Sequence, residues 1–512
     1  MRRLLLVGPA ILTLAFGAPA WTDTPGRITA AASEEALVLA VTEAKADVDG
    51  GDTQHAREVL ERNWRRKDFA TAPPALRRVV LLMIAGLAME DKDWPTAKAA
   101  ILPASESTAA EAIDWTLRVE IASRSDDTGD TVHSLTVIAE RFPATLAEIE
   151  DSTIAQWRGR ARLLPDGEAR VFALTDAMMR AKWAPQDPFV DLGSTWREYV
   201  LGLIARDRIA EAEIFAARIT NDDDLITMRA DKRFDRIGDK GPDRLSPKVG
   251  SLARLKSVEA LIRTHPDLLS GYTAKSNALL TLNRPEEALA VADLAIAKAS
   301  ADPKAFTDLD RALAWTHSAR DSALRWLGRN EEALEALAIG ARVPENGYAN
   351  VNQTLNLAIE QVQNGQAKGA LTTVATVRLD RMSPYGRSVG LRAKACAYVL
   401  LGDTAMADTA IGDLKALGPD GKRNLAEALL CRDDLDGYAT LMIERLADPL
   451  ERDSALLSLQ ELPSPPHPLA STLARRKRLS ALRARPDILA AVAPIGRIDK
   501  YDPEDLWPPA PR

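Results

Sequence analysis

One phrase that the chain repeats limits its possible folds more than any other feature. "LNRPEEALAVADLAIAKA" begins at Leu282 and "LGRNEEALEALAIGARV" at Leu327, each placing an acidic pair and an Ala-Leu after a polar turn. Looser versions start at Asn364 ("NGQAKGALTTVATV") and Leu401 ("LGDTAMADTAIGDLKAL"). Self-similarity at a few tens of residues marks a repeat array, in which each unit buries its apolar face against the next. Such an array can absorb 512 residues without separate globular cores.

The phrase can be aligned on the small residue that opens the buried face of a second helix. Strong matches fall at Ala288, Ala333, Ala370 and Ala407, and weaker ones at Ala56, Ala97, Ser134, Phe172 and Ala212. The successive separations are 41, 37, 38, 40, 76, 45, 37 and 37, the large one being two units of 38; a degenerate unit follows around Ala439. Within a unit, a first helix carries apolar residues at helical spacing, as at Leu391, Ala395, Tyr398 and Leu401. A turn with Gly, Asn or Asp stops it, and acidic residues or Thr open the second helix at its positive end. No segment has the period-two alternation that a sheet needs. The expected fold is all-α, a helix-turn-helix repeat solenoid of about ten hairpins in two lobes.

The pattern resembles the tetratricopeptide repeat (TPR) family, whose unit is about 34 residues. Ala395, Tyr398, Leu401, Gly402, Ala407 and Pro419 all fall on residue types that the family prefers, as do Trp196 and Tyr272 in other units. The match is specific from about Pro266 to Pro419 and loose from residue 35 to 220. The resemblance implies a right-handed superhelix whose first helices line an inner face that holds extended peptides. In some members, Lys and Asn residues on successive first helices clamp a peptide's C-terminal carboxylate. Here Asn277 falls on one such place, but the lysine places hold Thr273 and Trp315, which argues against the clamp. The inner face offers instead Asn277, Trp315, Arg325, Trp326, Asn352 and Arg392, of which the aromatic and Arg side chains are the usual energetic anchors.

Two segments break the rhythm. Residues 221–250, with charge runs, glycines and prolines, read as an irregular joint between an N-terminal lobe (21–220) and a C-terminal lobe (251–462). "LPSPPHP" at Leu462–Pro468 ends the array, so that residues 463–512 read as a Pro-rich linker, a capping helix with a charged outer face and an irregular tail.

The first residues bear on destination. Arg2 and Arg3 precede a 13-residue apolar run, Leu4 to Phe16, and Ala18-Pro19-Ala20 supplies a small-x-small cleavage pattern. The run is shorter than the roughly 20 residues that cross a bilayer. Residues 1–20 are expected to be a signal peptide, with a mature chain from Trp21 that is periplasmic or secreted and has no membrane span. The formal net charge of −7, more negative still without Arg2 and Arg3, disfavours nucleic acid and anionic membranes as partners. Cys396 and Cys431 lie 35 residues apart, about one repeat. Equivalent points on adjacent hairpins are about 8 to 10 Å apart, beyond the roughly 7 Å limit between bridged α-carbons, so two buried free thiols are expected.

Catalytic constellations are absent from the sequence. His55, His133, His265, His317 and His467 are widely separated, with no metal-binding spacing. No nucleophile elbow, phosphate loop or dinucleotide fingerprint occurs. "NDDDL" at Asn221 and "ERDS" at Glu451 lack the alternating oxygens of a calcium loop and read as solvated helix caps. No catalytic residue, metal or cofactor is expected. The functional expectation is a cell-envelope scaffold that binds proteins or extended peptides; the alternatives are a cell-wall or polysaccharide enzyme with an unfamiliar site and a carbohydrate-binding helical protein.

Overall fold

A computed structural model describes residues 28–238, 245–345 and 347–508. The expected export segment, residues 1–20, lies outside them. Among the described residues there are only isolated bridges and no strand, and no helix is long and apolar enough to cross a membrane. The all-α array of helical hairpins is the observed fold.

The chain divides into two compact units between Pro188 and Phe189. In the first, α1 (Ile28–Asp49) pairs with α2 (Thr53–Trp64), α3 (Pro74–Glu90) with α4 (Trp94–Ser105), α5 (Ala112–Arg124) with α6 (Thr128–Arg141), and α7 (Asp151–Ala161) with α8 (Gly167–Arg180). The second opens with the hairpin α9 (Gly193–Ala205) and α10 (Ile209–Ala216), followed by α11 (Asp222–Ala230) and α12 (Pro247–Thr264). Five hairpins follow: α13 (Leu269–Thr281) with α14 (Pro285–Ala301), α15 (Leu309–Trp326) with α16 (Asn330–Arg342), α17 (Val351–Gln363) with α18 (Ala367–Ala375), α19 (Pro384–Leu401) with α20 (Thr404–Ala416), and α21 (Lys422–Arg432) with α22 (Leu435–Ala447). The chain finishes with α23 (Arg452–Leu459), α24 (Ala470–Arg483), α25 (Pro486–Val492) and a single turn at 503–506.

The repeated phrase is a turn device. Each of nine first helices ends on one residue with positive φ: Gly51, Lys92, Asp126, Asp207, Asn283, Gly328, Gly365, Gly402 and Asp433. The next residue's N–H returns to the carbonyl five residues back, as from Arg284 to Leu279 (3.0 Å) and from Arg329 to Leu324 (2.9 Å), which satisfies an orphan carbonyl of the first helix. That same residue caps the second helix, and four positions later a small residue meets the first helix. Ala56, Ala97, Thr131, Ala212, Ala288, Ala333, Ala370 and Ala407 all hold this place with no exposed surface. The acidic pair has its explanation here too. Where Arg is the cap, its guanidinium is bidentate to the Glu three residues on, Arg284 to Glu287 and Arg329 to Glu332, at 2.6 to 2.7 Å. The Glu at this position also favours the positive end of the helix.

Three matches of the sequence alignment move. Thr131, not Ser134, takes the place in α6, and Tyr438, not Ala439, takes it in α22, because the count runs from the caps Asp127 and Asp434. In α8 Phe172 is half-buried while Val171 is buried, the turn before it being a longer one.

Residues 221–250 do not divide the units. They lie within the second, where the chain next to α11 pairs with the C-terminal segment: Lys232 N–H donates to Ile495 O (3.0 Å) and Arg497 N–H to Ala230 O (2.8 Å). Gly496 is needed there, since a β-carbon would sit 2.7 Å from Ala230 O. Asn221 caps α11 as expected and Asp223 is exposed, but Asp224 and Asp453 are paired and not simply solvated. Asp224 pairs with Arg197, and Asp453 with Arg197 (3.2 Å) and Arg233 (2.6 Å).

The free-thiol expectation is corrected. Cys396 and Cys431 form a disulfide, their α-carbons 5.4 Å apart. The distance between helix axes overstates the gap, because α19 and α21 are first helices in direct contact and these residues sit on the facing sides.

Candidate binding site

In the second unit the first helices stack on one another as well as on their own partners: α13 on α15, α15 on α17, α17 on α19, and α19 on α21. A hydrogen bond between the hydroxyls of Thr273 and Thr316 (2.9 Å) ties the first pair. This wall carries the six residues singled out from the sequence, and the structure places them in four settings.

Asn277, Trp315 and Asn352 are exposed on α13, α15 and α17. Trp315 is 39% exposed, and its indole N–H donates to Glu345 Oε1 at 3.1 Å. These three sample successive helices with few competing contacts, as an extended ligand requires.

Arg392 belongs to a charged cluster that sequence reading missed. Arg475 of α24 is bidentate to Glu427 (2.6 and 3.0 Å), and Arg392 stands 3.9 Å from the same carboxylate. Burial alone would raise Glu427, but the Arg475 hydrogen bonds and the charges of Arg475, Arg392 and Arg423 outweigh it and hold the carboxyl below its ordinary range. Burial lowers the Arg392 guanidinium, with Glu427 opposing. One turn to either side, the same two helices are joined by the Cys396–Cys431 disulfide and by a buried hydrogen bond from Asn424 to Ser388 (2.8 Å).

Arg325 is a structural counter-ion and not a free anchor. It lies 3.4 Å from Asp321 and 3.5 Å from Glu360, two carboxylates with about 5% of their side-chain surface exposed. Burial pushes the Asp321 carboxyl up to about 7, Arg325 opposing and Glu360 reinforcing. Asp321 Oδ1 has no hydrogen bond.

Trp326 is half-buried, its indole N–H donating to Asn283 Oδ1 (2.7 Å) and its ring meeting Trp507 edge-to-face at 5.9 Å. Beside it lies a cavity of about 190 Å³, bounded on one side by Leu280, Ser322, Arg325 and Trp326 and on the other by Pro465, His467, Pro468 and Leu469. The Pro-rich segment read as a linker is therefore part of the site. Its PPHP composition was the available signal; nothing in the sequence placed it beside residues some 140 positions earlier.

Of the six basic residues from Arg475 to Arg485, the five arginines reach back to the array, while Lys477 is exposed. Arg478 pairs with Asp433 (2.6 Å), Arg485 with Asp436 (2.6 Å), and Arg476 and Arg483 donate to backbone carbonyls of residues 459–463. In the first unit, oxygens of Glu43 and Asp47 and a ring nitrogen of His55 lie within 4.8 Å of one another at the surface. His55 Nδ1 is 2.8 Å from Asp47 Oδ2, and this hydrogen bond raises the imidazole pKa.

No protein-family model matches the chain, and no curated protein matches it by sequence. Solved structures align over most of its length. The APC/C hetero-tetramer Cut9–Hcn1 does so at 13% identity over 90% of this chain and 89% of that chain, with a TM-score of 0.29. Yeast Tom70 aligns at 12% identity over 90% and 99%, with a TM-score of 0.22. A circular tandem repeat protein with a novel repeat topology aligns at 14% identity over 96% and 97%, with a TM-score of 0.14. At such scores these likenesses carry no argument about function.

Proposed function

We propose that this chain is an exported, non-enzymatic binding solenoid of the cell envelope, whose second unit holds an extended protein segment across its first helices. The observation that carries the reading is the wall itself. Exposed Asn277, Trp315 and Asn352 stand on three stacked helices, and Arg392 and Arg475 crowd a single carboxylate one helix further on. A stack of this kind offers a long surface of amide, aromatic and guanidinium groups, suited to an irregular and partly acidic chain. Export rests on the Arg-apolar-Ala18-Pro19-Ala20 pattern.

The test has two arms. N-terminal sequencing of the exported protein should begin at Trp21; recovery of an unprocessed cytoplasmic chain would refute export. A photo-crosslinker placed at Asn277 or Asn352 should trap a defined protein partner, and Trp315→Ala should reduce the yield several-fold without moving the melting temperature. Equal yield from the variant would remove the wall as the binding surface.

A further inference from the structure

The chain leaves α23 in an extended conformation and re-enters helix only at Ala470. Gln460 (φ −68°, ψ 146°) and Leu469 (φ −63°, ψ 155°) at its two ends have polyproline II dihedrals, and Pro463, Pro465, Pro466 and Pro468 fix φ near that value between them. No peptide bond among the described residues is cis. Two guanidiniums of α24 hold the backbone of this strap. Arg476 donates to Leu462 O (2.7 Å) and Pro463 O (3.4 Å), and Arg483 to Leu459 O (2.8 Å) and Gln460 O (3.0 Å).

The strap lies over the ends of α13, α15 and α17. Gly328, in the turn after α15, has φ +75°, and a β-carbon there would come within 3.0 Å of His467. Ser471 Oγ donates to Gln363 O at 2.7 Å. Contact is close at these points and loose between them. The cavity beside Trp326 stays open under the prolines, Ser464 Oγ is buried without a hydrogen-bond partner, and Pro466 and His467 are exposed. The cavity is a cleft that opens to solvent between the strap and the helix ends, and a buried hydroxyl such as that of Ser464 seldom lacks a partner where two segments fit closely. The strap thus sits on this surface as a ligand sits in a groove it only partly fills.

We propose that the groove formed by Leu280, Ser322, Trp326 and Gln363 is a binding site for proline-rich extended peptides, occluded in this conformation by residues 462–469 of the same chain. A proline-rich segment suits such a groove because it is already extended, loses little entropy on docking and presents its carbonyls outward, while an indole face accepts the pyrrolidine rings. Tethering gives the strap an effective concentration in the millimolar range, so a second peptide binds only in proportion to the fraction of molecules in which the strap is off. The inference rests on the proposed function only in taking protein segments as the partner class; its site is distinct from Asn277, Trp315 and Asn352.

The probe is a fluorescent synthetic peptide of sequence LPSPPHPLAS, titrated into the full mature protein by anisotropy. Pro465→Ala/Pro466→Ala/Pro468→Ala, which removes the strap's preorganisation, should bind it at least ten-fold more tightly than the wild type, and adding Trp326→Ala should abolish the gain. If the triple variant loses its thermal transition, Gly328→Asn takes its place. Asn tolerates the left-handed backbone, its side chain pushes the strap off at His467, and the same gain is expected. A folded strap variant that binds no better than wild type overturns the proposal, as does a gain indifferent to Trp326. Peptide binding that depends on Trp315 and ignores the strap overturns it as well, yet leaves the scaffold reading standing.

Discussion

Two contacts between first helices, α15 with α17 and α19 with α21, with only the α17–α19 contact between them, solve the same packing problem in opposite ways. At α19–α21 every polar group named above has a partner, and a covalent bridge lies one turn from the Arg392–Glu427–Arg475 cluster. At α15–α17, Asp321 and Glu360 are buried with one arginine between them, and Asn350 and Gln353 at the start of α17 leave buried nitrogens without hydrogen bonds. Buried carboxylates sharing one counter-ion are costly, whereas a saturated network adds rigidity. In an array that couples mainly neighbour to neighbour, this makes α15–α17 the soft joint and α19–α21 the firm one. The soft joint is also the one beneath the Pro-rich strap.

The largest expected effect breaks the soft joint. At pH 8, where Asp321 and Glu360 are both ionised, Arg325→Ala leaves two buried carboxylates without their guanidinium and should cost about 3 to 5 kcal/mol. Sequence reading alone would treat it as a harmless change on an exposed wall. Urea titration followed by circular dichroism measures this, and a melt within about 0.5 kcal/mol of wild type would return Arg325 to the list of free anchors.

Next, Cys396→Ser/Cys431→Ser tests the firm joint. Closing a loop of 35 residues contributes about 4 kcal/mol, so the variant and the reduced wild type should lose stability alike, with hydrogen exchange rising first in α19 and α21. Exchange rising first around α15 would invert the comparison.

Ala407→Trp forces a large ring into the place where α20 meets α19, at a cost of about 1 to 3 kcal/mol. The disulfide lies between first helices and does not brace this hairpin's own seam. Protection should therefore fall around residues 370–440 and stay near wild type in the first unit; uniform loss in both would show that the units are not energetically separable.

The smallest effect depends on pH. Folded Asp321 keeps its proton up to about pH 7, while an unfolded Asp releases it near 4. The folded state thus binds more protons between these values, and the contribution is fully present below about pH 4 and is lost as pH rises through about 7. Asp321→Asn should stabilise by about 1 to 2 kcal/mol at pH 8, since the shift spans a few units while Arg325 loses its nearer partner, and should change little at pH 5. Equal effects at both values would mean that Asp321 does not titrate in this range.

The hairpins were legible in the sequence because one local rule writes them: a left-handed residue, a cap, and a small residue four positions on. Ala288 and Ala333 obey it with strong neighbours, whereas Thr131 and Tyr438 obey it with atypical residue types, so the alignment slid to Ser134 and Ala439. The disulfide escaped because repeat spacing gives the distance between axes and not between facing α-carbons. Of the candidate site, the wall residues were visible as polar and aromatic side chains at helical spacing. The roles of Arg325 and Trp326 were not, since Glu360 and the strap reach them from other helices and periodicity carries no information about such meetings.

The pairing of residues 230–232 with 495–497 carries a consequence for how the second unit is built. A linear stack can grow from one end, each hairpin condensing on the last as synthesis proceeds. Here α11, near the beginning of the unit, shares backbone hydrogen bonds with a segment made more than 260 residues later, so the ends of the stack are latched to each other. The nascent chain must hold an unfinished edge open until residues 495–497 have emerged. Closure of the latch is then a high-contact-order step, the slow event that separates an assembled but breathing array from a finished one.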